Sequence, residues 1–107
     1  MVARELGRIC SYEDLIVALR ARCDELDISF QTLDEVAGLS GGYASKLLAP
    51  SSSLVMGRGS MSAILGALGL VLTVAEDPAA LERVRSRLVK RRRNGPHRQS
   101  VGRVEAR

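Results

Sequence analysis

The sequence predicts an all-α fold: a small helical bundle with one possible short strand at 70–74 and a basic C-terminal helix and tail. Three observations lead there. Apolar residues recur at three- and four-residue intervals along Tyr12, Leu15, Ile16, Leu19, Cys23 and Leu26. The composition is 46% hydrophobic with one Phe, two Tyr and no Trp, so the core is aliphatic, and helical packing is its natural outcome. Finally, Gly, Pro and Ser interrupt the apolar runs around Gly38, Pro50 and Gly57. At 107 residues and 11.5 kDa the chain holds one domain and at most a tail.

Residues 1–10 have no apolar period and read as an N-terminal arm; the domain proper is expected over 11–77. Ser11 starts the first helix, where its hydroxyl and the Asp14 carboxylate can cap each other's backbone. Glu13, Asp14, Arg20, Asp24 and Glu25 fall outside the apolar stripe, as the solvent face of an amphipathic helix requires. After a short connection at Asp27–Ser29, Leu33 and Ala37 share one face of a second helix, and Ala44 and Leu47 share one face of a third. Gly38 stands where the chain reverses, Leu39 plugs the turn, and Ser40 offers a hydroxyl to cap the third helix.

Pro50 ends that third helix. Ser51, Ser52, Ser53, Gly57 and Gly59 mark a long loop in which Leu54, Val55 and Met56 are expected to fold back on the core. Ser60 is the expected cap of a fourth helix, whose stripe of Met61, Ile64, Leu65 and Leu68 ends at Gly69. Leu70–Val74 is apolar and β-branched, which reads either as a short strand able to pair with its copy in a second subunit or as a connector packed on the bundle. Asp77 and Pro78 suit the cap and first position of a last helix over 78–93, with a narrow seam of Leu81, Val84 and Leu88. Residues 94–107 carry no pattern and are expected to be disordered.

The segment Phe30–Ala49, FQTLDEVAGLSGGYASKLLA, resembles without a gap the helix-turn-helix of the Cro and phage-repressor (XRE) family of bacterial regulators. The turn glycine falls on Gly38, and the five positions the family keeps apolar hold Leu33, Ala37, Leu39, Ala44 and Leu47. MSAILGALGL looks like the family's next helix, extending the resemblance over about residues 12–70. It implies a lambda-repressor-like bundle. Two positions depart from the pattern. Asp34 replaces a small alanine, so its carboxylate must face solvent or a partner, and Phe30 takes the register of a phosphate-touching glutamine, with Gln31 one place later.

In function, the resemblance implies a sequence-specific, double-stranded DNA-binding transcriptional regulator, a homodimeric repressor. Cys10 and Cys23, which suggest no disulfide framework, read as a reducing cytoplasm, where such a regulator is expected on the nucleoid. Family members of this size also act as antitoxins, which adds a toxin as a candidate partner. In such a reader the N-terminal part of the second helix meets base edges in the major groove. Carried across, the base or groove contacts are Gly41, Gly42, Tyr43, Ser45 and Lys46. None is an Arg, Asn or Gln able to bond a base bidentately. Gln31, Arg58 and Ser60 are the phosphate candidates of the domain, together with the N-terminus of the second helix itself. The alternative is a degenerate helix-turn-helix serving as a protein-binding anti-activator or adaptor.

Charge is divided along the chain. Residues 1–78 hold six basic against ten acidic side chains, net −4, whereas 79–107 hold ten against two, net +8. A basic run of this density suits nucleic-acid phosphate, which adds Arg87, Lys90, Arg91, Arg92 and Arg93 to the phosphate candidates. Cys10, Cys23 and His97 have no metal-ligand spacing, and no nucleophile lies at a plausible spacing from a base. Neither catalysis nor a cofactor is expected. The apolar run 61–75 is interrupted by Gly66 and Gly69 and falls short of the ~18–20 residues needed to span a bilayer. MVARELGR has no following apolar core, so neither a signal peptide nor a membrane segment is expected.

Overall fold

The computed structural model describes residues 3–90. They form α1 (Tyr12–Leu26), α2 (Phe30–Ala37), α3 (Tyr43–Leu47), α4 (Arg58–Ala67) and α5 (Pro78–Val84), followed by one 3-10 turn, Arg85–Arg87. The protein is all-α, and there is no strand among the described residues. The chain divides after Leu72 into two compact units.

In the first unit one aliphatic core joins α1 through α4. Leu15, Ile16, Leu19 and Cys23 from α1 meet Leu33 from α2, Ala44, Leu47 and Leu48 from α3 and its cap, and Ile64 and Leu68 from α4 and its cap. Of the five positions carrying the resemblance, Leu33, Ala44 and Leu47 are buried, while Ala37 and Leu39 are half-buried against the core. α2 packs on both α3 and α4.

The helix ends follow local chemistry. Ser11 accepts from the Asp14 amide at 3.1 Å, but the Asp14 carboxylate reaches the Cys10 amide at 2.9 Å, one residue before the expected site. Ser29 caps α2 by accepting from the Thr32 amide. Three C-termini close by the same paired bonds. The amide one residue past the left-handed position reaches back five residues, as in Ile28 to Cys23, Leu39 to Asp34 and Leu70 to Leu65. Gly38 (φ 74°) and Gly69 (φ 65°) fill two of those positions at no steric cost. The third is Asp27, φ 56°, a side chain in a conformation that favours glycine.

Several expectations need correction. α4 begins at Arg58 with Gly57 as its cap and no side-chain cap bond, so Ser60 is a first-turn residue rather than the cap. In the long loop only Met56 is buried, its amide donating to the Tyr12 hydroxyl at 3.0 Å; Leu54 and Val55 remain exposed. Leu26, at the end of the α1 stripe, is exposed too. Within the single chain Leu70–Val74 forms no strand, as expected of a segment whose ladder would come from a second copy.

The second unit, described by itself, starts as the sequence predicts: Asp77 accepts from the Ala80 amide at 3.2 Å, with Pro78 in the first turn. The helix is shorter than the expected 78–93. It gives way at Val84 to the 3-10 turn, and Leu88–Lys90 are not helical. Leu81 and Val84 are half-buried and Leu88 is exposed, too little apolar contact to hold a longer helix. Arg91–Arg93 and the expected disordered tail at 94–107 lie outside the described residues.

Candidate nucleic-acid interface

α3 spans five residues and brings no side-chain cap of its own. Isolated helices this short do not persist in water. What holds α3 is a charged side chain from a neighbouring helix at each end. Asp34 on α2 is 3% exposed. Its carboxylate accepts from the Gly42 amide at 2.9 Å and the Ala44 amide at 2.8 Å. At the other end Arg20 on α1 donates through Nη1 to the Leu48 carbonyl at 2.7 Å, with its guanidinium 5.4 Å from the centre of the Phe30 ring. An anion at the N-terminus and a cation at the C-terminus both complement the helix dipole.

Arg22, also on α1, does for α4 what Arg20 does for α3. Its Nε donates to the Leu68 carbonyl at 3.0 Å while Nη1 pairs with Glu25 at 3.0 Å. Arg4 in the N-terminal arm pairs with the other oxygen of Glu25 at 2.6 Å. Hydrogen bonds from Arg4, then Arg22, hold the Glu25 carboxyl below the usual carboxylate range. Burial, with Asp24 adding to it, pushes the Cys23 thiol up, partly offset by Arg20.

These contacts revise three expectations. Asp34, expected to face solvent or a partner, turns inward to the amides of α3. Ser40 caps through no hydroxyl; only its carbonyl takes part, accepting from the Tyr43 amide at 3.0 Å. The N-terminus of α3, expected to attract phosphate, already has two amides committed to Asp34.

The candidate contact residues fall into groups. Gly41, Gly42, Ser45 and Lys46 are exposed together on the turn and α3, and Tyr43 is half-buried against the core. Gly42 takes φ 82°, and Ser45 donates its hydroxyl to the Gly42 carbonyl at 3.0 Å, which leaves the Ser45 oxygen only as an acceptor for any further contact. Gln31 is exposed in the first turn of α2, Arg58 is exposed in the first turn of α4, and Ser60 is half-buried two residues on. Arg87 and Lys90 are exposed in the second unit, and Arg91, Arg92 and Arg93 lie outside the described residues.

The residues that sequence reasoning missed are Arg20, Arg22 and Tyr12 as backbone clamps. The role of Asp34 was missed as well, and for it one signal is legible: Gly41-Gly42 directly before α3 brings no capping side chain, so an acceptor from elsewhere in the fold fits there. Among the described residues no group of three or more His, Cys, Asp or Glu is placed to hold a metal ion, and no helix is long and apolar enough to cross a membrane. Comparison with protein-family models, with curated proteins and with solved structures finds no match to this chain.

Proposed function

We propose that the chain is a sequence-specific DNA-binding transcriptional regulator, a dimeric repressor, in which α2, the Gly38 turn and α3 act as a helix-turn-helix of the Cro and phage-repressor type. The observation that carries this reading is the clamping of α3. A five-residue helix held by Asp34 and Arg20, with Gly41, Gly42, Ser45 and Lys46 outward, is a short element kept in fixed orientation with its polar side free. Presentation of a rigid helix edge is what major-groove entry needs. An antitoxin role is a narrower form of the same reading.

Electrostatics divides the labour. Before residue 78 the basic side chains are Arg4, Arg8, Arg20, Arg22, Lys46 and Arg58. The first four are engaged within the protein, which leaves Lys46 and Arg58 for phosphate. Two contacts give a slope of log K against log salt of about −1.8 for duplex DNA, and four contacts from the basic C-terminal residues would steepen it by ~3.6.

The test is fluorescence anisotropy with random and selected duplexes at several salt concentrations. It compares the full chain with one ending near Pro78, whose core contains no residue of the second unit. Sequence preference in both, with the shallow slope in the short chain, supports the regulator. Loss of all binding in the short chain assigns binding to the basic segment alone. A second reading, a protein-binding anti-activator or adaptor, draws on the scarcity of base-reading side chains on α3, but it loses the support of Asp34, whose charge is spent on α3 rather than displayed.

A further inference from the structure

We propose that the groove between α1 and the loop at 49–55 is a docking site for a basic amphipathic helix of a partner protein. The inference stands apart from the DNA reading and uses none of its contact residues. The groove has a volume of about 480 Å³. Ile16, Val17 and Ala21 line it along α1, facing Pro50, Leu54 and Val55 across it. Val17 and Val55 keep about two thirds of their surface exposed, 65% and 67%. Apolar surface presented in this way favours an apolar occupant.

Charge identifies the occupant further. Glu13 and Asp24 stand at the two ends of the α1 wall, eleven residues and so about 16 Å apart along the helix axis. Neither carboxylate has an ion pair or hydrogen bond among the described residues, whereas the one cation in the lining, Arg20, is committed to the Leu48 carbonyl and the Phe30 ring. Two free anions flanking an apolar floor match cations flanking an apolar stripe. The occupant is a helix rather than a strand because the walls offer little backbone to pair with. α1 satisfies its own ladder, and in the loop the amides of Ser52 and Leu54 are already bonded. A helix satisfies its own amides and needs only side-chain contact.

The test uses the full chain and a panel of four labelled synthetic helices, each about 16 residues long, with Leu along one face and two Lys eleven positions apart; the apolar spacing differs between members. A matched panel carries Glu in place of those Lys. Saturable anisotropy binding of at least one Lys helix is expected, with about fivefold weaker binding of its Glu counterpart at low salt. Glu13→Gln with Asp24→Asn should erase that preference. Val17→Gln with Val55→Ser, both exposed positions, should weaken binding about tenfold while the circular dichroism spectrum and DNA titrations stay unchanged, so that failure here is separable from failure of the DNA reading. Absence of saturable binding across the Lys panel overturns the proposal. So does equal binding of Lys and Glu helices, or indifference to the Val17 and Val55 changes. If those two changes instead convert a dimer of the full chain to monomer, the groove belongs to a second copy and the proposal also falls.

Discussion

Replacing Asp34 by alanine removes both acceptors from the N-terminus of α3. The Ala44 amide lies in a residue with no exposed surface, so water cannot replace the lost partner. That bond alone, charge-assisted and buried, is worth about 1.5–3 kcal/mol. The Gly42 amide belongs to an exposed residue and recovers a water, so its loss costs about 1 kcal/mol. Together the substitution should destabilise the first unit by about 2.5–4 kcal/mol, against a total of roughly 4–10 kcal/mol for a unit of this size. Asp34→Asn keeps the shape but turns an amide NH2 toward one of the two N–H donors, so about half that loss is expected. Urea unfolding followed by far-ultraviolet circular dichroism reads both, and hydrogen exchange at Ala44 should accelerate before the rest of the core. If Asp34→Ala costs less than about 1 kcal/mol, or if Asn and Ala are equivalent, the carboxylate does not hold α3 and the account of the helix pair fails.

Other consequences can be checked more briefly. Arg20→Met preserves the aliphatic stem but loses the Leu48 cap and the contact with Phe30, and should cost about 2 kcal/mol in the same urea assay. Asp27→Gly relieves a left-handed side-chain residue and should raise stability by about 0.5 kcal/mol, visible as a higher melting temperature. Iodoacetamide should label Cys10 in the folded protein and Cys23 only after unfolding, since Cys23 is buried and its thiol is pushed up. Glu25 has a folded value below its unfolded one, so its pairing with Arg4 and Arg22 is complete above the ordinary carboxyl range and is lost as pH falls through the lower folded value. A carbon NMR titration of Glu25 should place its midpoint below that range, and Arg4→Gln should move it up.

What was legible in the sequence was whatever depended on local chemistry. The α1 stripe, the turn at Gly38, the Asp77-Pro78 start and the stop at Pro50 all follow from side chains acting within a few residues of themselves. Contacts between distant elements were not legible. Asp34 bonds eight and ten residues ahead, Arg20 reaches twenty-eight residues to Leu48, and Arg22 reaches forty-six to Leu68. A periodicity argument assigns Arg20 to solvent because its Cα lies off the apolar stripe. It misses that a long side chain can lie along the surface and deliver its head to a helix end. The α4 boundary failed for a related reason: Ser60 has the right chemistry for a cap, but the backbone was free to place the cap three residues earlier, at Gly57, and begin the helix at Arg58.

The same long-range clamps decide how the candidate site can work. A domain with six basic side chains before residue 78 looks able to contact phosphate widely, yet Arg20 and Arg22 spend their charge on helix ends and Arg4 spends its charge on Glu25. Asp34 would look repulsive to DNA if displayed, and is instead buried beneath α3. Counting charges from composition therefore overstates both attraction and repulsion at this surface. What remains on the α3 side is Lys46 with the glycine pair and Ser45, a surface able to fit closely against a groove but weakly able to name a base. Under the DNA reading, specificity then rests on how rigidly α3 is presented, which makes Asp34 and Arg20, neither of them a DNA contact, the residues on which sequence preference depends.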